Sequence, residues 1–503
     1  MNATTRFGSF LLAAGGFCLL AIFNCGGYRY GVGDQAFHIP AVLQHLDPAL
    51  FPRDRLLLHA QDRFMLFDDG MAAIAKISGL SLPTLFLTAF LAGLVLLFAG
   101  AVWVGRIWYH SWWTVTALVL VMTLRHRISQ TGVNTLENYL NPRMLAFAIG
   151  VCTLAAFMRG RRLLALGLLV GAAAIQPTTA LWFGLWIFVA LAMSERDLRR
   201  PLLTGTALAV AAAVWMLWSG PLQGRLEQMD SEWVGLLGGK DYIFPADWGI
   251  SFWVFNLAYP AVVVAIYRYR RAQGQTLPRE EGLVAGALAL VAVFLLSWPF
   301  AAMRVALAVQ LQVSRVFWML DFLAAVYVVW LLVEAGGRHR SPGTIRGGAV
   351  AAIALLAVMR GGYVMWVEHA GAPVVQLGLP RDDWEDVMAW AARTPSDTHL
   401  LADPGHAWKY GTSARVAAER DVYLEEVKDV SLALYSREVA QRVVRRIRDL
   451  GDFNRLTPQQ AEALASRYDL DYLISEQPMP LPLAYHNQRF SVYALGHAAT
   501  GVR

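Results

Sequence analysis

Long apolar runs constrain this chain more than any other feature of its sequence. A helix of about 17–25 mostly apolar residues crosses the roughly 30 Å hydrocarbon core of a bilayer. Runs of this kind lie at 8–27, 81–105, 111–124, 143–158, 163–180, 181–194, 202–218, 249–267, 283–300, 315–333 and 347–366. The chain is therefore predicted to be an α-helical polytopic membrane protein with about 11 transmembrane helices. The stretch 163–194 contains Pro177, so it forms either two short spans or one long helix with a re-entrant piece.

The positions of the basic residues predict how the chain is oriented. Short cytoplasmic connections of membrane proteins are enriched in Lys and Arg. With the N-terminus inside, such connections contain Arg6, Arg106, Arg159, Arg161, Arg162, Arg196, Arg199, Arg200, Arg268, Arg270, Arg271, Arg338, Arg340 and Arg346. The opposite face then receives the long connections 28–80, 125–142, 219–248 and 301–314, together with the C-terminus. Two crossings within 163–194 are favoured, because one crossing would move every later basic loop to the wrong side.

Composition divides the chain into two predicted domains. Charged residues make up 16% of the chain, against about a quarter in soluble proteins, and they become frequent only after residue 366. Residues 1–366 are thus predicted to be the membrane body, and residues 367–503 a soluble extracytoplasmic α/β domain. Its predicted elements are helices at 382–393, 431–450 and from Thr457 onward, and strands at 399–402, 472–474 and 490–493. The net charge of +6 does not indicate a nucleic-acid partner, because much of the basic surplus lies in short loops beside the spans.

The first long loop contains an acidic residue followed by a histidine. If a helix begins there, Asp34 and His38 lie one turn apart on the same face, and Phe37 and Val42 belong to an apolar side suited to the bilayer surface. A carboxylate beside an imidazole can accept a proton or hold a metal ion. The alternative is that Asp34 only caps the helix.

Three further loops supply charges at the same face. Glu137 and Arg143 lie near the membrane level, where an unpaired charge costs several kcal/mol, so they either pair with each other or bind a ligand. Arg304, Gln312 and Arg315 belong to a later loop, and the planar guanidinium suits phosphate; a snorkelling Arg315 is the alternative. Loop 219–248 places aromatic residues beside carboxylates, as in sugar sites: Asp230, Glu232, Trp233, Lys240, Asp241, Tyr242, Asp247 and Trp248.

The layout resembles the C-type (GT-C) superfamily of polytopic glycosyltransferases, which use polyprenyl-phosphate-linked sugars, and it looks most like a bacterial branch of that superfamily. The residues that carry the resemblance are Gly33, Asp34 and His38, Glu137 with Pro142 and Arg143, Pro177 to Thr179, Gln310, Gln312 and Arg315, and in the tail Ala402 to Pro404, Arg415, Lys428, Asp429, Tyr468, Asp471 and Tyr472.

The resemblance implies a lipid-phosphate donor, membrane lipid as surroundings and an active site on the outer face of a bacterial plasma membrane. Asp34 takes the place of the first-loop catalytic acid. Many relatives have two adjacent acids there, whereas this chain has Gln35 second, which puts metal dependence in doubt. A divalent cation, Mg²⁺ or Mn²⁺, stays open as a cofactor, with Asp34 and Glu137 as its ligands.

The sequence thus predicts an integral-membrane glycosyltransferase. Asp34, Glu137 and His38 are its expected catalytic residues, and Arg143, Arg304, Arg315 and Gln312 are expected to bind the substrate phosphate. Two other classes remain open, a transporter or flippase for a lipid-linked or amphipathic substrate, and a non-catalytic scaffold of the same fold.

Overall fold

The computed structural model of the protein describes residues 3–62, 64–335 and 342–496, and the side chains of 8–60, 64–335 and 346–496. Arg338, Arg340 and the side chain of Arg6, which belong to the predicted basic connections, lie outside these ranges.

The part of the chain before residue 367, called the body, is almost entirely helical. Its helices are α1 (Ala3–Asn24), α2 (Gln35–Leu46), α3 (Arg55–Asp62), α4 (Phe67–Ser78), α5 (Leu82–Trp108), α6 (Trp112–Val121), α7 (Pro142–Met158), α8 (Arg162–Ile175), α9 (Pro177–Ser194), α10 (Arg199–Trp218), α11 (Ser231–Leu237), α12 (Ile250–Ala272), α13 (Glu280–Ala302), α14 (Ala306–Gln310), α15 (Val316–Trp330) and α16 (Pro342–Tyr363). Each of the predicted apolar runs overlaps a helix, but the division predicted after residue 180 lies at Gln176, between α8 and α9. Within the described residues, seven helical segments are long and apolar enough to cross a membrane, and four more are apolar but shorter. The predicted count of about 11 crossings stays a prediction.

The outward faces of these helices are apolar. Helix α10 has no buried residue, and Trp218 at its end is 83% exposed. On other helices, Leu163 is 85% exposed and Leu296 is 73% exposed. Apolar surface on this scale costs about 25 cal/mol per Å² in contact with water, so these helices need a lipid environment.

The segment 163–194 forms two helices rather than one. Helix α8 ends at Ile175, Gln176 is extended, and α9 begins with Pro177 as its first residue. Proline is favoured at that position, because its missing N–H would have no partner there. The two helices pack against each other through Ala172 and Ala180, as two short spans would.

Small residues let α9 and α13 approach closely. A Cβ at Gly286 would lie 2.4 Å from the backbone oxygen of Trp186, and one at Gly282 would lie 2.6 Å from that of Ala190. Close packing of this kind stabilises helix pairs in membranes, where the lipid gives no hydrophobic driving force for association.

Several predicted cytoplasmic connections meet at one end of the helices. Arg162 and Arg279 both pair with Glu195, and the distance from Arg279 to Glu195 is 2.7 Å. Arg162 also lies 3.1 Å from Asp197. Since these residues belong to three different connections, the structure brings together loops that the basic pattern assigned to one face.

The part of the chain after residue 366, called the tail, is an α/β unit, as predicted. It contains β4 (Val375–Gln376), α17 (Asp383–Ala391), β5 (His399–Leu401), α18 (His406–Lys409), α19 (Ala414–Ala417), β6 (Asp421–Val422), α20 (Glu426–Ala433), α21 (Arg437–Leu450), α22 (Pro458–Tyr468), β7 (Tyr472–Ser475), β8 (Leu483–His486) and β9 (Ser491–Ala494). Five strands form a mixed sheet in the order β6-β5-β7-β9-β8. The capping box predicted at Thr457 and Gln460 is present.

Two local predictions are wrong. The helix predicted over 431–450 is broken into α20 and α21, because Ser436 adopts an extended conformation and its side chain caps α21. Helix α2 does not offer an apolar face to the bilayer surface. Phe37 and Val42 are buried inside the protein, since α4 and the tail helix α19 cover α2.

The tail is joined to the start of the body by a short parallel pairing of strands. In the body, β1 (Tyr28–Arg29) lies in the predicted first outer loop (28–80), and the equally short β2 (Arg127–Ile128) and β3 (Val133–Asn134) form a hairpin in the predicted second outer loop (125–142). Tyr28 of β1 pairs with Val375 of β4, directly after the chain leaves the body. The first outer loop and the tail are therefore neighbours, which is the arrangement that creates the site described next.

Candidate active site between the outer loops and the tail

Asp34 lies at the start of α2, immediately after a tight turn. Gly33 has φ +60, and a Cβ there would lie 2.3 Å from the Tyr139 ring, so the turn needs glycine. Asp34 occupies the N-cap position, but its side chain makes no capping hydrogen bond. The possibility that Asp34 only caps the helix is therefore excluded, and its carboxylate is turned toward other loops.

Two cations and an amide hold the Asp34 carboxylate. Lys428 Nζ lies 3.1 Å from Oδ1, Asn141 Nδ2 donates to Oδ2 at 3.0 Å, and Arg143 Nη2 is 3.4 Å from Oδ2. Burial by itself would raise the pKa of Asp34, but the positive charges of Lys428 and Arg143 outweigh it and hold that pKa well below the usual carboxyl range. Asp34 is consequently ionised and a weak base.

Glu137 joins the same cluster through Arg143. Arg143 Nη2 donates to Glu137 Oε1 at 3.0 Å, and Asn134 donates to both carboxylate oxygens at 3.3 and 3.4 Å. Arg125 lies 3.8 Å from Oε2, and Glu137 is 4% exposed. The pairing of Glu137 with Arg143 that the sequence allowed is present, and Asp34 shares the same guanidinium.

The two carboxylates do not fit a divalent cation. The Nη2 atom of Arg143 is within ion-pair distance of both Asp34 and Glu137, so a cation occupies the position that a bridging metal would need. Among the described residues, no three His, Cys, Asp or Glu side chains are grouped as metal ligands. Asp34 and Glu137 are thus arranged to hold arginine, and the chemistry proposed below uses no metal-dependent step.

His38 makes its hydrogen bonds away from Asp34. Its Nδ1 lies 3.0 Å from Asp68 Oδ1 on α4, and both side chains are almost fully buried. The imidazole is still close enough to interact electrostatically with Asp34. His38 therefore binds Asp68, a carboxylate that the sequence did not indicate, and it does not bond directly to Asp34.

Arg315 places an unpaired polar atom next to the cluster, and Gln312, three residues earlier in the chain, has another. The guanidinium of Arg315 interacts electrostatically with Arg143 and Asp34, and its Nε is buried without a hydrogen-bond partner in the described chain. Oε1 of Gln312 is buried without one as well. Tyr242 faces the same charges, and burial raises its pKa to about 12. Buried polar atoms without partners are costly in a folded protein, so this corner of the site has unused capacity to bind a polar ligand.

Arg304 is used elsewhere. Its Nη2 lies 2.9 Å from both oxygens of Asp247, and its guanidinium lies 4.1 Å above the ring of Phe244. Its partner is therefore a carboxylate of loop 219–248 rather than the cluster around Asp34.

Loop 219–248 makes contacts that differ from those of a sugar site. Trp233 and Trp248 are buried, and the indole N–H of Trp233 donates to the backbone oxygen of Ala433 in the tail at 2.9 Å. Asp230 caps α11 and pairs with Arg437 of the tail. Trp233 and Asp230 thus fix the tail onto the body. Lys240 and Tyr242 of the same loop interact electrostatically with Asp34.

Sequence reasoning missed Lys428, which comes from the tail. Its helix α20 is held in place by a buried ionic network. Asp54 of the first outer loop accepts a hydrogen bond from Arg415 Nε at 2.7 Å, and Arg415 also donates to Asp429, the neighbour of Lys428, at 2.7 Å. Arg442 binds Asp54 too. The adjacent Lys428 and Asp429 were recognisable as a motif, but nothing in the sequence indicated that α20 docks beside Asp34.

Two cavities flank the cluster. The first, the arginine cavity, has a volume of about 470 Å³ and is lined among others by Arg125, Arg127, Asn134, Asp241, Tyr242 and Arg360. The second, the seam cavity, has a volume of about 290 Å³ and lies between the outer loops and the tail, lined among others by Gly33, Asn138, Tyr139, Trp408, Ser413 and Lys428. Residues that contact Glu137 line the first cavity, and a residue that contacts Asp34 lines the second.

The comparisons with known proteins give little beyond this geometry. The sequence matches no protein-family profile, and no curated protein sequence matches it. Among solved structures, the oligosaccharyltransferase of Archaeoglobus fulgidus in its apo form is similar to this chain, with 12% identity over 94% of this chain and 70% of that chain and a TM-score of 0.39. A TM-score of that size does not establish a common fold.

Proposed function

We propose that this chain is a membrane glycosyltransferase of GT-C type that transfers a sugar from a polyprenyl-phosphate donor to an acceptor hydroxyl. The observation that supports the proposal is a cluster in which the two carboxylates of Asp34 and Glu137 are surrounded by more cationic side chains than acidic ones. Arg143, Lys428, Arg315 and Arg125 all act on these two carboxylates. The surplus of positive charge suits an anionic substrate that reacts next to a carboxylate.

The arginine cavity is proposed to receive the donor phosphate. Arg125 and Arg127 come from the second outer loop, Arg360 comes from α16, and Asp241 is the acidic residue of the lining. A planar guanidinium binds phosphate oxygens through paired hydrogen bonds. Because Arg125 contacts Glu137 and Tyr242 lines the same cavity, a phosphate held there is adjacent to the cluster, with Arg315 as a further donor to it. The unpaired oxygen of Gln312 would instead accept a hydrogen bond from a hydroxyl of the donor sugar.

The proposed reaction exchanges one C–O bond for another. The acceptor oxygen forms a bond to the anomeric carbon of the donor sugar, and the bond from that carbon to the phosphate oxygen breaks with its electron pair on the phosphate. Arg143 and Arg315 stabilise the charge that grows on the departing polyprenyl phosphate. Preorganised donors of this kind are worth about 2.7–4 kcal/mol each when removed.

Asp34 is proposed to act on the acceptor. Its carboxylate accepts a hydrogen bond from the attacking hydroxyl and takes the proton as the new C–O bond forms. The low pKa imposed by Lys428 and Arg143 means that the hydroxyl must become acidic before the proton moves, so proton transfer accompanies bond formation rather than preceding it. Glu137 holds Arg143 in place, and His38 with Asp68 supports the start of α2. The enzyme is proposed to work in a bacterial plasma membrane, with this site on the extracytoplasmic face.

Replacement of Asp34 tests the proposal. Asp34→Asn keeps the shape of the side chain and removes its charge, so transfer from a panel of polyprenyl-phosphate sugars should fall by about 10²–10⁴-fold while the protein remains folded and inserted. Asp69→Asn is the matched control, because its carboxylate is 53% exposed on α4 and pairs with His45 rather than with the cluster around Asp34. Near-normal turnover of Asp34→Asn would remove Asp34 from the mechanism. Transfer should also persist in detergent, whereas transport coupled to a membrane gradient would not.

A further inference from the structure

The seam cavity is made by parts of the chain that come together only when the tail docks. Gly33 and Ala36 come from the first outer loop, and Asn138 and Tyr139 come from the second. The tail supplies the opposite wall with Trp408, Gly411 and Ser413, and Lys428 of that wall also contacts Asp34. A ligand in this cavity would therefore lie beside the carboxylate proposed to activate the acceptor.

The walls of the seam cavity differ in character from those of the arginine cavity. Its cation is Lys428, which is already paired with Asp34, so the cavity offers little positive charge for a phosphate. The side chain of Trp408 is 74% exposed, although a free indole face is costly in water. The amide of Asn138 and the amine of Lys428 belong to the same lining, whereas the Ser413 hydroxyl is already bonded to Glu425. A flat apolar surface next to a few hydrogen-bonding groups is typical of small-molecule sites that are specific for neutral polar ligands.

A sugar ring has both properties that these walls match. One face of a pyranose presents C–H bonds that can pack on the indole, and its edge presents hydroxyls that can bond to amides and to lysine. Gly33 lines the cavity and packs against the ring of Tyr139. A sugar ring in this cavity would therefore lie next to the residue that directly precedes Asp34.

We propose that the seam cavity is the acceptor site and that the acceptor is a carbohydrate whose ring stacks on Trp408, with Lys428 and Asn138 bonding to its hydroxyls. This inference rests on the proposed function, which it deepens by assigning the acceptor class and by giving the tail a role in binding. The donor phosphate and the acceptor ring would then approach Asp34 from two different cavities.

Binding of simple sugars to the full-length protein in detergent tests the inference without any donor. A panel of neutral methyl glycosides is titrated and followed by saturation-transfer difference NMR. At least one glycoside should bind the wild type, and Trp408→Ala should weaken that binding about tenfold, as loss of an aromatic stacking partner implies. Trp408→Phe should restore most of the binding. Leu483→Ala is the control, because Leu483 is 55% exposed on the tail and far from the proposed contacts in sequence and element.

Two results would overturn the inference. One is that no neutral glycoside binds the wild type, and the other is that Trp408→Ala binds the same glycoside as tightly as the wild type. If glycosides bind as expected but no polyprenyl-phosphate sugar is turned over, the seam cavity stands as a carbohydrate-binding site and the proposed transfer reaction is refuted. The two proposals therefore fail on different measurements.

Discussion

Removal of Asp54 should release the tail from the body. Asp54 is fully buried, its Oδ2 binds Arg415 at 2.7 Å, and its Oδ1 faces Arg442 and Arg446. Burial alone would raise the pKa of Asp54, but the three arginines hold it below its ordinary range, so Asp54 is charged at neutral pH. The variant Asp54→Ala would leave Arg415 buried with one carboxylate fewer and would also free Arg442.

The size of the effect follows from burial. Loss of one partner of a buried ion pair costs about 3–5 kcal/mol, because an uncompensated charge stays behind in a low-dielectric environment. Asp452→Ala is the matched control, since the Asp452–Arg455 pair lies at the surface with Asp452 53% exposed. Pairs of that kind contribute about 0–1 kcal/mol. The expected difference between the two variants is therefore several kcal/mol.

Hydrogen exchange measured by mass spectrometry resolves this difference along the chain. In Asp54→Ala, amides of α20 and α21 should exchange about 10²-fold faster or more, as 3–5 kcal/mol implies, while α5 and α13 should be unchanged. Sugar transfer should fall in parallel, because Lys428 would no longer be held beside Asp34. Exchange of α20 and α21 at the wild-type rate in Asp54→Ala would refute the argument that this network docks the tail.

Two further predictions concern pH and metal. Burial, together with the negative charge of Asp54, raises the pKa of Asp421 to about 7, whereas the same side chain in the unfolded chain loses its proton near pH 4. The stability of the docked tail should therefore fall as pH rises from about 4 to about 7. Urea titrations of the protein in detergent should show this slope flattened in Asp421→Asn, and an unchanged slope would contradict the assignment. Because Arg143 bridges Asp34 and Glu137, EDTA should leave transfer within about twofold of its original rate, and a loss that Mg²⁺ or Mn²⁺ restores would show that the arginine gives way to a metal ion. Both measurements use the full-length chain, so neither depends on the tail folding by itself.

The sequence was informative wherever a local property decides the structure. Run length and hydropathy located the helices, because backbone groups in lipid must be satisfied within the helix itself. The break at Pro177 and the capping box at Thr457 follow from local chemistry in the same way. Asp34, Glu137 and Arg143 could be anticipated together, because charges near the membrane level are expensive and must find each other.

Other features depend on contacts between distant parts of the chain. Arg304 pairs with Asp247, so it could bind a phosphate only by leaving that carboxylate. No sequence pattern distinguishes an arginine that binds a phosphate from one that pairs with a carboxylate of another loop. His38 turned to Asp68 rather than to Asp34 because the rotation of α2 is set by its packing against α4. Lys428 was missed because its position depends on how an independently patterned α/β unit docks, and that docking relies on single buried charges such as Asp54 rather than on a periodic face.

The pairing between Asp34 and Lys428 also has a consequence for how the protein is made. The two residues are 394 positions apart, and the strand pairing of Tyr28 with Val375 spans almost the whole body. During synthesis, the first outer loop is therefore exposed for as long as it takes to produce all of the later helices, with Asp34 lacking its lysine. A chain that stops before residue 428 would contain every predicted membrane span and still have an incomplete site. The cluster around Asp34 is thus completed late, when the tail docks onto the loop that follows α1.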